Sequence, residues 1–210
     1  MTSLMRSKRR RLAAAAGTVL AAGAMLASAA IPASASSTVH VKYQVTGSTY
    51  IKAPNFTLDL GPGTLSSTVK LRTGKLTATL SLPNATGSFT QFGIVPVTAT
   101  TQFINDGPTT GKINSKTGAV TTQSKITLRL VSLTVAGIPV PVGNSCQTKD
   151  AVVVDLASQP GFNALKGGTV AGSYTIGDFS GCGLAGLLIN LTIPGSGNTI
   201  SLKLGKAKVS

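Results

Sequence analysis

The sequence contains no tryptophan and no glutamate, and its 210 residues include one histidine and an aromatic fraction of only 4%. Its acids are five dispersed aspartates, of which Asp150 and Asp155 are the nearest pair. Two-carboxylate glycoside hydrolysis needs paired acids, and a Ser-His-Asp site would depend on the single His40. We therefore predict no catalytic residue, and we expect no cofactor and no enzyme activity.

His40 alternates with Val39 and Val41, which predicts a solvated position on the first strand. The sequence has no Gly-x-Ser-x-Gly elbow, and Gly177–Gly181 is better interpreted as a turn that leads into the second cysteine. A hydrolase of unknown substrate remains an alternative. It would gain support if His40 lay beside an aspartate and a serine.

Cysteine is also scarce, since Cys146 and Cys182 are the only two. Two cysteines and one distant histidine are too few for a zinc site, so we expect no metal. An even number of cysteines in an exported chain predicts one structural disulfide. The disulfide would close a loop of 36 residue steps. The resulting loss of entropy would raise the free energy of the unfolded chain by roughly 4 kcal/mol.

Export is predicted from residues 1–35. Five cations between Arg6 and Arg11 precede an uncharged, Ala-rich run, and Ala33-Ser34-Ala35 supplies a small-residue cleavage site. We therefore expect a signal peptide over 1–35 and a single secreted domain over 36–210, with no stable membrane span after processing. A retained membrane anchor is the alternative, and Arg9-Arg10 leaves the twin-arginine route open beside the general secretory one.

The charge of the remaining domain is strongly positive. Residues 36–210 carry 14 Lys plus Arg against five Asp, a net charge of +9. Such a surface favours polyanions, and we expect weak contact with anionic cell-wall polymers. The cations are spaced singly along the chain, and Tyr43, Tyr50 and Tyr174 are too far apart to predict a stacking platform, so nucleic acid is not expected. The oligomeric state is left open.

Alternation of apolar and polar residues is the dominant pattern. Val39, Val41, Tyr43 and Val45 alternate with polar residues, and three further segments repeat this pattern. Those segments are Leu76–Leu82, Ile126–Leu130 and Ile200–Leu204. Alternation on one face is typical of antiparallel sheets. The fold class is therefore predicted to be all-β, an antiparallel β-sandwich with a barrel-like alternative.

Two turns are explicit in the sequence. Gly74 and Gly118 lie between strand patterns, which predicts a hairpin at each. The hairpins are 44 residues apart, and the same offset matches Gly93-Ile94 with Gly137-Ile138. This spacing indicates a duplicated β unit.

One segment has a helical period. Leu184, Leu187, Leu188 and Leu191 fall at i, i+3, i+4 and i+7, and Pro194 ends the pattern. We predict one short helix whose leucines pack against the sheets, as a plug over one end of the fold. A lid that faces a membrane or a ligand is the alternative.

Around the cysteines the chain resembles uncharacterised secreted proteins of high-GC Gram-positive, actinobacterial type. The resemblance is carried by Gly143–Cys146, Phe179–Gly183 and Gly197–Leu202. It implies a shared extracellular β fold with one disulfide. It brings no activity and no functional residues with it.

These observations favour a secreted, non-catalytic binding or surface-interaction protein of the cell envelope or medium. A carrier of an apolar, lipid-like ligand is the first alternative and a hydrolase the second. A cavity of a few hundred cubic ångströms would favour the carrier, whereas a filled core would favour the interaction protein. The ligand-binding residues are not predicted.

Overall fold

The fold is known from a computed structural model that describes residues 37–209. The predicted signal peptide and its cleavage site after Ala35 lie outside the described residues. Within 37–209 the chain forms strands and one short helix: β1 (Thr38–Ile51), β2 (Phe56–Lys70), β3 (Lys75–Ser81), β4 (Ala85–Gln91), β5 (Val95–Asn105), β6 (Thr109–Ile113), β7 (Val120–Val135), β8 (Ile138–Val140), β9 (Gln147–Thr148), β10 (Val152–Ser158), β11 (Gly168–Ile176), β12 (Phe179–Ser180), α1 (Gly186–Thr192), β13 (Gly195–Leu204) and β14 (Lys208–Val209).

Eight of the strands close into an antiparallel barrel. The hydrogen-bonded order is β1, β2, β3, β6, β7, β10, β11 and β13, and β13 pairs with β1 to complete the circle. The all-β, antiparallel prediction is confirmed, and the architecture is the barrel-like alternative. Closure removes the free edges that an open sheet would present.

The barrel interior follows from the alternation seen in the sequence. Side chains that point inward from β1 and β13, such as Val45 and Leu202, are almost completely buried. The loop between β10 and β11 reaches over this core with Phe162, and the hydroxyl of Tyr43 donates to the carbonyl oxygen of Ala164 at 2.7 Å. This loop therefore packs against the barrel core.

Strand β7 belongs to the barrel and to a second sheet region. Its first half pairs with β6 and β10, whereas its second half pairs with β5, which in turn pairs with β4. The resulting lobe has its own core, which includes Phe89, Val97 and Leu133. Phe56 of β2 stacks on Phe89 with ring centroids 5.1 Å apart.

The 44-residue offset of the sequence reappears in the backbone. Gly74 and Gly118 have φ values of 65° and 72°. In the turns that precede β5 and β8, the pairs Phe92-Gly93 and Ala136-Gly137 all have positive φ. Corresponding positions in the two units therefore form similar turns, as a duplicated unit would.

The cysteines form the predicted disulfide. Cys146 and Cys182 are bonded with their Cα atoms 4.2 Å apart, and both lie in the core of the lobe. The bond joins the segment after β8 to the turn that precedes α1.

The predicted helix is present as a 3-10 turn, Gly183–Ala185, followed by α1. The prediction that its leucine stripe packs inward is wrong, because Leu184, Leu187 and Leu191 are exposed. Ala185 and Ile189 face the core instead, beside the disulfide. The disulfide at the start of this segment lies in the same core as Ala185 and Ile189, so α1 covers the lobe and does not act as a plug of the barrel.

None of the helices in residues 37–209 is long and apolar enough to cross a membrane.

Candidate anion-binding face

Three lysines that are scattered in the sequence meet on the outside of the barrel. Lys70 of β2 lies directly opposite Lys75 of β3, and Lys75 lies directly opposite Lys112 of β6. All three side chains are exposed. Side chains opposite each other on neighbouring antiparallel strands have Cβ atoms about 5 Å apart. The inference that the cations are spread singly is therefore wrong for these three, which we call the lysine row.

A row of hydroxyl groups runs parallel to the lysine row. On each strand the hydroxyl residue is two positions away from the lysine, on the same side of the row. The hydroxyl row contains Thr68 of β2, Thr77 of β3 and Thr110 of β6, and His40 of β1 lies opposite Thr68. The Nδ1 atom of His40 is 3.0 Å from the Thr68 Oγ1 atom. Hydroxyl groups can donate to an anion without adding charge, so this row supplements the lysines.

A second group of cations lies beyond the hydroxyl row. Lys42 of β1 is opposite Lys208 of β14 on one side and Ser66 of β2 on the other. Together the two lysine groups and the hydroxyl row between them form what we call the basic face of the barrel. Its members are His40, Lys42, Ser66, Thr68, Lys70, Lys75, Thr77, Thr79, Thr110, Lys112 and Lys208.

Two hairpin turns extend the positive charge at one end of this face. The Gly74 N–H donates to the Lys70 carbonyl at 2.8 Å, and the Ile113 N–H donates to the Gly74 carbonyl at 2.8 Å. The β2–β3 turn is thereby held against the end of β6. Arg72 in this turn and Lys116 in the β6–β7 turn consequently lie at the same end of the barrel as the lysine row.

None of the carboxylates among residues 37–209 forms an ion pair with the lysine row. In the part of the chain that the structure describes, the ion pair found is Lys149–Asp178, at 3.5 Å. Asp155 continues the hydroxyl row on β10, beyond Gln123 of β7, and Gln123 Nε2 donates to its Oδ1 at 2.9 Å. Like charges directly opposite on a sheet destabilise it, so the row is a site where a bound anion would be favourable.

The basic face is indented in two places. A depression of about 490 Å³ is lined by residues that include His40 and Lys42, and one of about 380 Å³ is lined by the lysine row and Thr110. Both include Thr68 and Thr77, so they adjoin. A chain-like ligand could therefore contact both groups of cations.

The barrel interior offers far less space. Its cavity is about 70 Å³ and is lined by apolar side chains such as Val45, Leu76 and Leu202. A buried hydrogen bond of 2.7 Å joins Thr109 Oγ1 to Ser124 Oγ nearby. A second cavity of about 50 Å³ lies in the lobe. Pockets that hold small molecules usually have roughly 300–1,000 Å³.

Burial changes the pKa of two tyrosines, Tyr43 and Tyr174. Burial raises the pKa of Tyr43, and it also raises the pKa of Tyr174, although a hydrogen bond with Thr49 partly opposes the second shift. The Tyr174 hydroxyl is 2.6 Å from Thr49 Oγ1. Both groups stabilise the barrel and the adjoining lobe while they stay protonated.

The remaining candidate residues are separated in space. His40 contacts Thr68, while Asp155 lies on β10, five strands along the same row from His40. Asp178, in the segment Gly177–Gly181, pairs with Lys149. Among residues 37–209, no group of three or more His, Cys, Asp or Glu side chains is arranged to hold a metal ion.

Sequence reasoning did not find the lysine row because its members come from three strands. A signal was nevertheless present. Lys70 and Lys75 flank the predicted hairpin turn at Gly74. A loop of the four residues 71–74 would place the two lysines opposite each other on neighbouring strands.

Comparison with protein-family models, curated proteins and solved structures finds no match for this chain.

Proposed function

We propose that this protein is a secreted, non-catalytic binding protein that attaches to anionic polymers of the cell envelope or medium through its basic face. The observation that carries the proposal is the lysine row, in which Lys70, Lys75 and Lys112 are adjacent, exposed and without an ion-pair partner among residues 37–209. An anionic polymer would supply the missing countercharges.

The filled interior supports binding at the surface over the carriage of an apolar ligand. Cavities of about 70 and 50 Å³ are well below the volume that a lipid-like molecule needs. Interior side chains of the barrel would have to separate to admit such a ligand, which would cost packing energy.

The disulfide supports export. Structural disulfides persist in oxidising compartments, and Cys146–Cys182 is buried in the core of the lobe. Together with the signal-like sequence of residues 1–35, this favours a protein that works outside the cell.

The experiment is a pull-down of the purified protein on purified cell walls across a salt series. We expect binding at low ionic strength and release near or soon above physiological ionic strength, where the Debye length is about 8 Å. Salt-insensitive binding would indicate a specific pocket in place of the basic face. A failure to bind at low salt would reject the proposal.

A further inference from the structure

We propose that the lysine row is the docking line for one extended polymer that carries phosphate groups along its backbone and lies across strands β2, β3 and β6. This inference rests on the proposed function and specifies its partner. Two observations support it: the register that aligns the three strands, and the chemical type of the side chains on their outer face.

The geometry suits a linear ligand. Neighbouring strands are about 4.8 Å apart, so three ammonium groups on three strands follow a line of roughly 10 Å. The hydroxyl row runs parallel to this line at a distance of about 7 Å, the length of two strand residues. A polymer on the lysine row would therefore contact a cation at each strand and have hydroxyl donors along one side.

The type of cation fits a phosphate ligand. An Arg side chain forms paired hydrogen bonds with carboxylate or phosphate in a fixed plane, whereas a Lys ammonium binds phosphate as a point charge and sets no such plane. All three positions of the row are Lys. A phosphate in a polymer backbone has two free oxygens, so one can accept from a lysine while the other accepts from a threonine hydroxyl.

The face lacks the groups that would select a nucleic acid among phosphate polymers. The basic face includes no Phe, Tyr or Trp side chain, so it offers no aromatic platform on which bases could stack. Recognition would depend on the phosphate backbone alone. The inferred ligand is therefore a flexible phosphate polymer without bases.

The test compares two variants of equal charge. K70Q/K75Q/K112Q removes the row, and K52Q/K166Q/K203Q removes three exposed lysines that lie elsewhere. Binding of each purified protein to short-chain linear polyphosphate is measured by calorimetry over a salt series. All six lysines are exposed, so both variants should fold, which thermal unfolding monitored by circular dichroism checks.

For the row variant we expect the slope of log affinity against log salt to become shallower by about 2, at roughly 0.7 for each lost phosphate contact. Its affinity at low salt should fall roughly tenfold or more, while the control variant keeps most of the wild-type affinity and slope. This outcome supports the row as the docking line.

Equal losses in both variants would mean that the whole charged surface binds, which would overturn the docking line and also the attachment through the basic face. Two further outcomes would overturn the inference and leave the proposed function in place. Binding of polygalacturonate in preference to polyphosphate would mean a carboxylate ligand. Tighter binding of single-stranded DNA would mean a nucleic acid. Failure of the wild-type protein to bind any polyanion, or cell walls, would reject the proposed function as well.

Discussion

Lys75 lies directly opposite Lys112 across the β3–β6 pair, with Lys70 opposite Lys75 on the other side. Sheets usually place unlike or neutral side chains at such positions, because each cross-strand pair affects stability. Three adjacent ammonium groups therefore repel one another in the free protein. The same repulsion makes the row a favourable place for an anion.

Replacing the central lysine should stabilise the free protein. We expect Lys75→Gln to raise the free energy of unfolding by about 0.2–1 kcal/mol at low salt, because it removes two like-charge contacts. The gain should disappear near 1 M salt, where the Debye length is about 3 Å. Chemical denaturation at both salt concentrations measures this, with Lys52→Gln as the control. A destabilised Lys75→Gln protein at low salt would show that the row is not repulsive.

Reduction of the disulfide should destabilise the fold strongly. Cys146 and Cys182 connect the loop after β8 to the start of the helical segment, and both are buried. Loss of such a bond costs roughly 2–5 kcal/mol, so the melting temperature should fall sharply after reduction. Thiol titration of the unfolded, non-reduced protein should find no free thiol. Two reactive thiols per chain would contradict the assignment.

Shortening a side chain on the inner face of α1 should lower the stability of the protein more than shortening one on the outer face. Ile189 is 1% exposed and Leu187 is 74% exposed. Ile189→Ala should therefore cost roughly 2–5 kcal/mol, because it leaves a cavity in the lobe core. Leu187→Ala should change stability by no more than about 0.5 kcal/mol. Equal effects in denaturant titrations would mean that the leucine side of the helix is also covered.

Stability should decrease in alkaline solution. Burial raises the pKa of Tyr43 in the folded state above the unfolded value of about 10. Its contribution is therefore fully present below about pH 10 and is lost as the pH rises through the higher folded pKa. The alkaline decrease in the free energy of unfolding should be smaller in the Tyr43→Phe variant. It should be unchanged in the Tyr50→Phe variant, which alters an exposed tyrosine. Unfolding curves between pH 9 and 11, roughly one unit either side of the unfolded value, compare the variants.

The single histidine should be dispensable for folding. His40 is exposed, and its hydrogen bond goes to Thr68, so His40→Ala should change the free energy of unfolding by no more than about 0.5 kcal/mol. The variant also tests the hydrolase alternative. If the purified protein hydrolyses a substrate, and His40→Ala abolishes that activity while the protein stays folded, the non-catalytic proposal is wrong.

Much of the fold was predictable because local patterns determine it. Alternation placed Val45 and Leu202 in the core, and Gly74 and Gly118 marked hairpins that the structure contains. Closure of the barrel was harder to predict, because it depends on β13 pairing with β1, two strands at opposite ends of the described chain.

The helix and the lysine row show why other features were missed. Periodicity identified the helix but could not decide which side faces inward, since that depends on the tertiary contacts that Ala185 and Ile189 make in the lobe core. The lysine row depends on the register of three strands. A one-residue slip in that register would turn these side chains to the opposite face, so charge counts along the chain could not reveal it.

The most direct test of binding at the basic face is nuclear magnetic resonance of the purified protein during titration with fragments of anionic cell-wall polymer. We expect the largest shifts in the amide signals of β2, β3 and β6 around Lys70, Lys75 and Lys112. Methyl signals of Val170 and Leu202 inside the barrel should stay unchanged. Shifts of these interior methyl signals without shifts on the basic face would contradict binding at the surface and would support a ligand held inside the barrel.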